Sequence, residues 1–276
     1  MVPPTQDFFY ENVECWDDLI KRNKNSKEGR WLYRGQAADW CLTSTLERHI
    51  NSWQIDLNHA PSLEGALARE FRRRARGKDQ PFIQDDMLNC LALMRHHGAP
   101  TRLLDCTYSP FVAAQTAMRE GLDPHRVPVI WCFSTEWMDE HCRRVLGRAG
   151  ESKLGPGQRR IRFDTLLKRA PPAKIVVHDN PYFLNQRLTA HQGAFLFAGD
   201  IRRPFCENLK SMEGWDLSEN VCKLYLRFDK AKRVEALKIL KRMNVTSTVL
   251  FPGLDGFARS LGEELRFYDE VYGGRA

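Results

Sequence analysis

Amphipathic helical patterns and short apolar runs follow one another along this 276-residue chain in an order that excludes regular βαβα alternation. Helical patterns come early and strands mostly late, with helices between them. Met87, Leu88, Leu91 and Met94 recur at helical spacing within Asp85–His97, and Gly98 supplies the stop. Leu63–Arg76 is a polar, helix-forming stretch ending at Gly77, and Ser109 and Pro110 open another helix that runs to Met118. Lys230–Met243 and Leu254–Leu265 are also predicted helical. Trp31–Tyr33 reads as a short strand running into a turn at Arg34-Gly35. Val127–Phe133, Lys174–Val177 and Ala194–Phe197 read as apolar strands. Between Val221 and Phe228, Cys222, Leu224, Leu226 and Phe228 alternate with Lys223, Tyr225 and Arg227, the pattern of a half-buried strand. No glycine-rich GxGxxG turn is present, which argues against a doubly wound nucleotide-binding sheet. The expectation is a single mixed α+β domain over 1–276.

Composition narrows the class further. With 42% hydrophobic and 11% aromatic residues the chain is neither disordered nor fibrous. No apolar run approaches the roughly 20 residues of a bilayer-spanning helix, and Met1–Glu14 has neither a basic end nor an apolar stretch. No membrane partner is expected. Eight cysteines are scattered without a CxxC pair, which speaks against a zinc cluster and against a disulfide framework. Buried free thiols in a reduced, cytoplasmic protein without a metal are the expectation.

The positive charge is concentrated. The 42 basic and 35 acidic side chains leave +7. Between Arg143 and Lys174 stand ten basic residues, among them Arg143, Arg144, Arg159, Arg160, Arg162, Lys168 and Arg169, against Glu151 and Asp164. The remainder of the chain is therefore almost neutral. This island encloses Gly147, Gly150, Gly155, Pro156 and Gly157, so a flexible basic insertion over about 143–174 is expected. Such a surface suits a nucleic-acid backbone or an acidic protein partner. The shorter run from Arg69 to Lys78 reads as a solvated helix face.

Three places crowd together side chains capable of chemistry. The densest is Arg95-His96-His97-Gly98-Ala99-Pro100-Thr101-Arg102-Leu103-Leu104-Asp105-Cys106-Thr107, between two predicted helices. Pro100 disfavours helix at Ala99 and Gly98 permits a left-handed residue, so this stretch is sharply bent. Histidine there offers acid–base chemistry near neutral pH and arginine a bidentate grip on phosphate. The alternative is a helix cap followed by a buried Arg102–Asp105 pair that pins the loop. The second place is Arg34 at a strand end, with Gly35 letting backbone approach a ligand. The third is Arg187-Leu188-Thr189-Ala190-His191-Gln192-Gly193-Ala194-Phe195, whose polar pair precedes a short apolar strand. Thr43-Ser44-Thr45 and Thr246-Ser247-Thr248 read as caps and turns. GxSxG, HExxH, P-loop and kinase signatures are absent.

At these three places the chain resembles the FRG domain family, named for an aromatic-Arg-Gly motif that appears here as Tyr33-Arg34-Gly35. The family's central pattern, roughly Gln-His-Tyr-Gly-x-Pro-Thr-Arg-Leu-Leu-Asp-Trp-Thr, is matched at His96, Gly98, Pro100–Asp105 and Thr107. It is departed from at Arg95, His97 and Cys106, where Gln, an aromatic and Trp are usual. The later Arg-x-x-x-Gln-Gln-Gly-x-Phe motif maps to Arg187, Gln192, Gly193 and Phe195, with His191 for the first Gln. Thr248–Gly256 is similar to the family's closing Leu-Phe-Pro-Asp-Leu-Asp-Gly, so the motifs run from 33 to 256. The resemblance implies kinship with ADP-ribosyltransferases, hence two small packed sheets with flanking helices, NAD as substrate in the cleft, and no metal. On that implication Tyr33, Arg34 and Gly35 form the cofactor wall, with Thr101, Arg102 and Arg187 also on the NAD side. His96, Asp105 and Gln192 are the implied catalytic positions. Gln192 stands where such enzymes usually carry a glutamate, so Asp105 or Glu263-Glu264 is left to supply the carboxylate. The absence of Glu-x-Glu argues against arginine-directed protein modification. The implied role is a toxin of bacterial phage defence or of a toxin–antitoxin system, acting on RNA before DNA and restrained by an antitoxin protein. A non-catalytic nucleic-acid or ligand-binding module and an NAD glycohydrolase are the other readings.

Overall fold

The described strands assemble into one seven-stranded mixed sheet of order β1-β7-β4-β2-β3-β6-β5. It comprises β1 (Tyr10–Val13), β2 (Trp31–Gln36), β3 (Leu104–Thr107), β4 (Val129–Ser134), β5 (Val176–Asp179), β6 (Gly193–Ala198) and β7 (Val221–Leu226). Only β1 and β7 pair in parallel; every other neighbouring pair is antiparallel. The computed structural model describes residues 7–24, 31–75, 86–119, 126–147, 163–180, 190 and 192–267.

Helices cover both faces. On one lie α1 (Trp16–Lys24), α5 (Pro110–Met118) and α8 (Lys230–Arg242), whose Leu19, Ala113, Ala117 and Leu237 pack with Tyr33, Ile130 and Leu224. On the other lie α4 (Met87–His96), α6 (Thr135–Leu146) and α7 (Phe205–Lys210), which contribute Leu91, Met94, Met138 and Leu209. Around them stand α2 (Thr45–Ser52) and α3 (Ala60–Arg74), and the chain continues through α9 (Ser247–Leu250) and α10 (Leu254–Glu264). None of the described helices is long and apolar enough to cross a membrane.

Local chemistry accounts for the helix ends. Ser109 caps α5 by accepting from Val112 N at 3.4 Å, with Pro110 in the first turn, as the sequence predicts. The two hydroxyl triplets also act locally: Ser44 caps α2, accepting from Glu47 N (3.1 Å), and Thr246 caps α9. All eight cysteines are free.

Three expectations are corrected. The two packed sheets implied by the family resemblance are, among the described residues, a single sheet, because β2 pairs on both its edges. Gly35 does not end β2 in a turn, since the strand continues through Gln36 opposite Val129. The strand at Val221–Leu226 is not half-solvated. It lies inside the sheet between β1 and β4 with both faces covered, and Lys223 is fully buried. The Lys223 ammonium sits 4.7 Å from the Trp131 ring centroid and 2.7 Å from Asp39 Oδ1, while the Tyr225 hydroxyl donates to Asp39 Oδ2 at 2.6 Å. A buried charge is tolerated only when paired in this way.

Candidate functional site

The two edges of β2 are unequally paired. On the β4 side, six consecutive residue pairs run from Trp31↔Ser134 to Gln36↔Val129. On the β3 side, the ladder is the one pair Tyr33↔Thr107. The hydrogen-bond alternation determines which peptide groups face the gap. Ser134 N donates to Asn220 O and Leu226 N to Pro128 O, so even-numbered β4 residues bond β7 and odd-numbered ones turn to β2. Leu32, Arg34 and Gln36 therefore bond β4, and the peptide groups of Tyr33 and Gly35 point toward β3. Continued from Tyr33↔Thr107, the register would place Asp105 opposite Gly35. Instead Arg34 Nη1 donates to the Asp105 carbonyl at 2.6 Å, taking the acceptor that a ladder bond would have used.

Where the ladder stops, the structure opens into a cavity of about 390 Å³. Tyr33, Arg34, Gly35 and Gln36 form one wall and Asp105, Cys106 and Thr107 of β3 the opposite one. Val112, Ala113 and Thr116 of α5 and Arg119 just after it close it from one side, with Phe251. Arg48 of α2, Arg95 of α4 and Trp40 complete it. Arg119 lies 5.3 Å from the Phe251 ring centroid and Arg126 lies 5.6 Å from that of Trp40. Four arginines thus face one described carboxylate, Asp105. Arg95 grips that carboxylate through Nε (2.9 Å) and Nη2 (2.6 Å), both on Oδ2.

Burial pulls Arg34 below the ordinary guanidinium range; Cys106 and Asp105 oppose that shift and Arg95 reinforces it. The Arg34 Nε is buried without a hydrogen-bond partner. Partial burial, then Arg34 and Arg95, also lowers the pKa of Arg48, which stands exposed at the rim and donates to Thr43 O at 2.9 Å. An excess of crowded positive charge is the electrostatic condition for binding an anion. Burial pushes the Cys106 thiol up to about 12, so it offers no thiolate near neutral pH.

The family model for the FRG domain matches residues 29–126. This chain carries an FRG domain. The matched segment includes Tyr33-Arg34-Gly35 and the Arg95–Thr107 stretch, and it ends before Arg187–Phe195 and Thr248–Gly256. No curated protein and no solved structure gives a significant match.

Within the FRG segment the structure brings together Tyr33, Arg34, Gly35 and Asp105, and separates other expected positions from them. Thr101 is fully buried in a backbone exchange with α2: Thr45 Oγ1 donates to its carbonyl and accepts from its N–H, both at 3.1 Å. Arg102 is buried against Glu64 of α3, which receives its Nε at 2.7 Å, its Nη2 and its backbone N–H. The expected Arg102–Asp105 pair is therefore replaced by two pairs, Arg102–Glu64 and Arg95–Asp105. His96 ends α4 with its ring 4.9 Å from that of His97 and is not among the residues lining the cavity. Gln192 is exposed at the start of β6, in left-handed backbone (φ 47°), and its carbonyl accepts from Tyr108 N. Of the other carboxylates, Glu263 accepts from Ser247 and Gln115, and Glu264 from Lys241.

Gly35 has a role that its sequence position does not announce. A Cβ there would collide with the Ala113 carbonyl and stand 2.8 Å from Ala117 N, so the missing side chain admits α5 onto β2. Arg48 and Arg119 carried no sequence signal, since each is an isolated arginine on a helix. Arg187, His191, Arg159, Arg160 and Arg162, with 148–162 of the expected insertion, lie outside the described residues. Arg143, Arg144, Lys168 and Arg169 are exposed. Arg169 donates to Val145 O (3.3 Å) at the end of α6, and Arg144 pairs with Glu140 and Glu213.

Proposed function

We propose that the FRG domain binds NAD in the split between β2 and β3 and transfers its ADP-ribosyl group to a nucleic acid, RNA before DNA. The carrying observation is the Gly35 peptide unit beside Arg34, turned toward the cavity where β3 no longer pairs. One N–H and one C=O on a strand edge are what a carboxamide such as that of nicotinamide requires for two complementary hydrogen bonds. The arginines around them suit a diphosphate, and Trp40 and Phe251 offer faces to planar rings.

Transfer breaks the glycosidic bond to nicotinamide, which leaves, and forms a bond from the same ribose carbon to an acceptor nucleophile that gives up a proton. The carboxylate available in the cavity for the developing positive charge or that proton is Asp105. The exposed Arg143, Lys168 and Arg169 around the end of α6 support an acceptor docking through its phosphates. A defence-toxin role, with an acidic protein as restraint, is consistent with that surface.

Incubation of the full chain with labelled NAD and RNA, DNA or cell lysate tests the reading. Label is expected on RNA, and Arg34→Gln should abolish it. No transfer and no NAD loss with any acceptor would sink it, whereas NAD loss without labelled product would reassign the activity to hydrolysis. The competing reading, a binding module without catalysis, is favoured by the engagement of Asp105 with Arg95. It predicts NAD binding without NAD loss.

A further inference from the structure

The chain's Arg95, at a place where the FRG pattern usually has glutamine, adds a guanidinium to a cavity that already holds Arg34 and Arg48. All three line the same cavity, where Asp105 is the one carboxylate among the described lining residues. Arg34 is committed to a neutral carbonyl, and Arg48 at the rim donates to the Thr43 carbonyl. Arg95 spends two nitrogens on one carboxylate oxygen, with its Nη1 3.5 Å from Thr45 Oγ1. Burial is the main cause lowering the pKa of Arg34 and Arg48, with neighbouring guanidiniums adding to it, and three guanidiniums beside one carboxylate leave the cavity wall with an excess of positive charge.

We propose that a phosphate group seats among Arg34, Arg48 and Arg95, and that Arg95 exchanges Asp105 for it. Asp105 thus serves as a stand-in anion in the free protein, and ligand binding uncovers its carboxylate toward the cavity. A phosphate presents several oxygens where the carboxylate engages two nitrogens on one, so the exchange gives each guanidinium a charge-assisted partner. The seat deepens the dinucleotide reading by assigning a phosphate subsite to residues outside the Tyr-Arg-Gly motif. It rests on that reading only for the source of the phosphate.

Calorimetric titration of the full chain with inorganic pyrophosphate at low salt tests the seat without NAD. Arg48→Gln and Arg95→Gln are each expected to weaken binding about tenfold. Asp105→Asn, which removes the competing anion, should tighten it several-fold. A purely structural Arg95–Asp105 pair predicts the opposite for Asp105→Asn, a loss or no change, and that result would overturn the exchange. Failure of the wild type to bind at millimolar pyrophosphate, or indifference to both arginine substitutions, overturns the seat. Arg95→Gln restores the residue usual in the family. Should it nonetheless unfold, Arg48→Gln and Asp105→Asn decide the matter alone. Competition identifies the source: displacement by NAD assigns the dinucleotide, and displacement only by a 5′-phosphorylated oligonucleotide assigns the acceptor. Displacement by neither counts against the proposal. NAD loss with a pyrophosphate response indifferent to both arginines would overturn this inference alone. The expected pyrophosphate response without NAD loss would overturn only the transferase reading.

Discussion

The two edges of β2 are built from the same six residues and differ in nearly every other respect. Toward β4 the ladder is complete, and beyond it Lys223 is buried against Trp131 and Asp39. Toward β3 a single pair holds, an arginine side chain replaces the next backbone bond, and the cavity opens. The closed edge buries its charge as a neutralised pair, whereas the open edge keeps an excess. That difference separates a charge that supports the fold from charges left available to a ligand.

The largest expected effect lies on the closed edge. Lys223→Met leaves Asp39 buried without its ammonium and should cost about 3–5 kcal/mol in urea unfolding. Adding Asp39→Asn should recover part of that loss; a double variant no better than the single one would mean that Lys223 acts through packing. At the boundary, Gly35→Ala forces α5 off β2 and should cost about 1–3 kcal/mol by the same measurement, with the cavity widened on its α5 side. An unchanged midpoint would show that α5 adjusts freely and that the wall is not rigid.

A third test reads the tie between α2 and α7. Glu47 of α2 accepts from Phe205 N (3.3 Å) at the start of α7, and burial pushes its carboxyl up to about 7 from an ordinary 4.5. The folded state thus holds this proton more tightly than the unfolded chain. Its contribution is full below about pH 4.5 and is lost as the pH rises through about 7. Thermal midpoints should fall across that window, and Glu47→Gln should flatten this part of the profile. A wild-type profile that rises there instead would reverse the assignment.

Much of this was legible in the sequence, for physical reasons that differ from place to place. The α5 cap, the α4 periodicity and the runs that became β4 and β6 are set by local patterns, and the structure keeps them within a few residues. Strand β3 was not legible: Leu104–Thr107 is four residues long with an aspartate inside, and it becomes a strand only because β6 pairs with all of it. Lys223 misled because alternation reports which side chains share a face, not whether the other face is also covered. In the candidate site, Arg34 and Asp105 could be singled out from crowding and position, while Arg48 and Arg119 could not, because only tertiary folding brings them to the gap. Arg102 shows the converse: it stood in the densest motif, and the fold uses it to bind α3.

Arg34 occupies two roles that cannot be varied independently. Its guanidinium is the stitch between β2 and β3 and also part of the cavity wall. Any ligand that draws it away must release the Asp105 carbonyl, so ligand affinity and strand spacing share one coupling free energy. By reciprocity, whatever spreads the two strands strengthens binding to the freed guanidinium by the same factor by which binding spreads them.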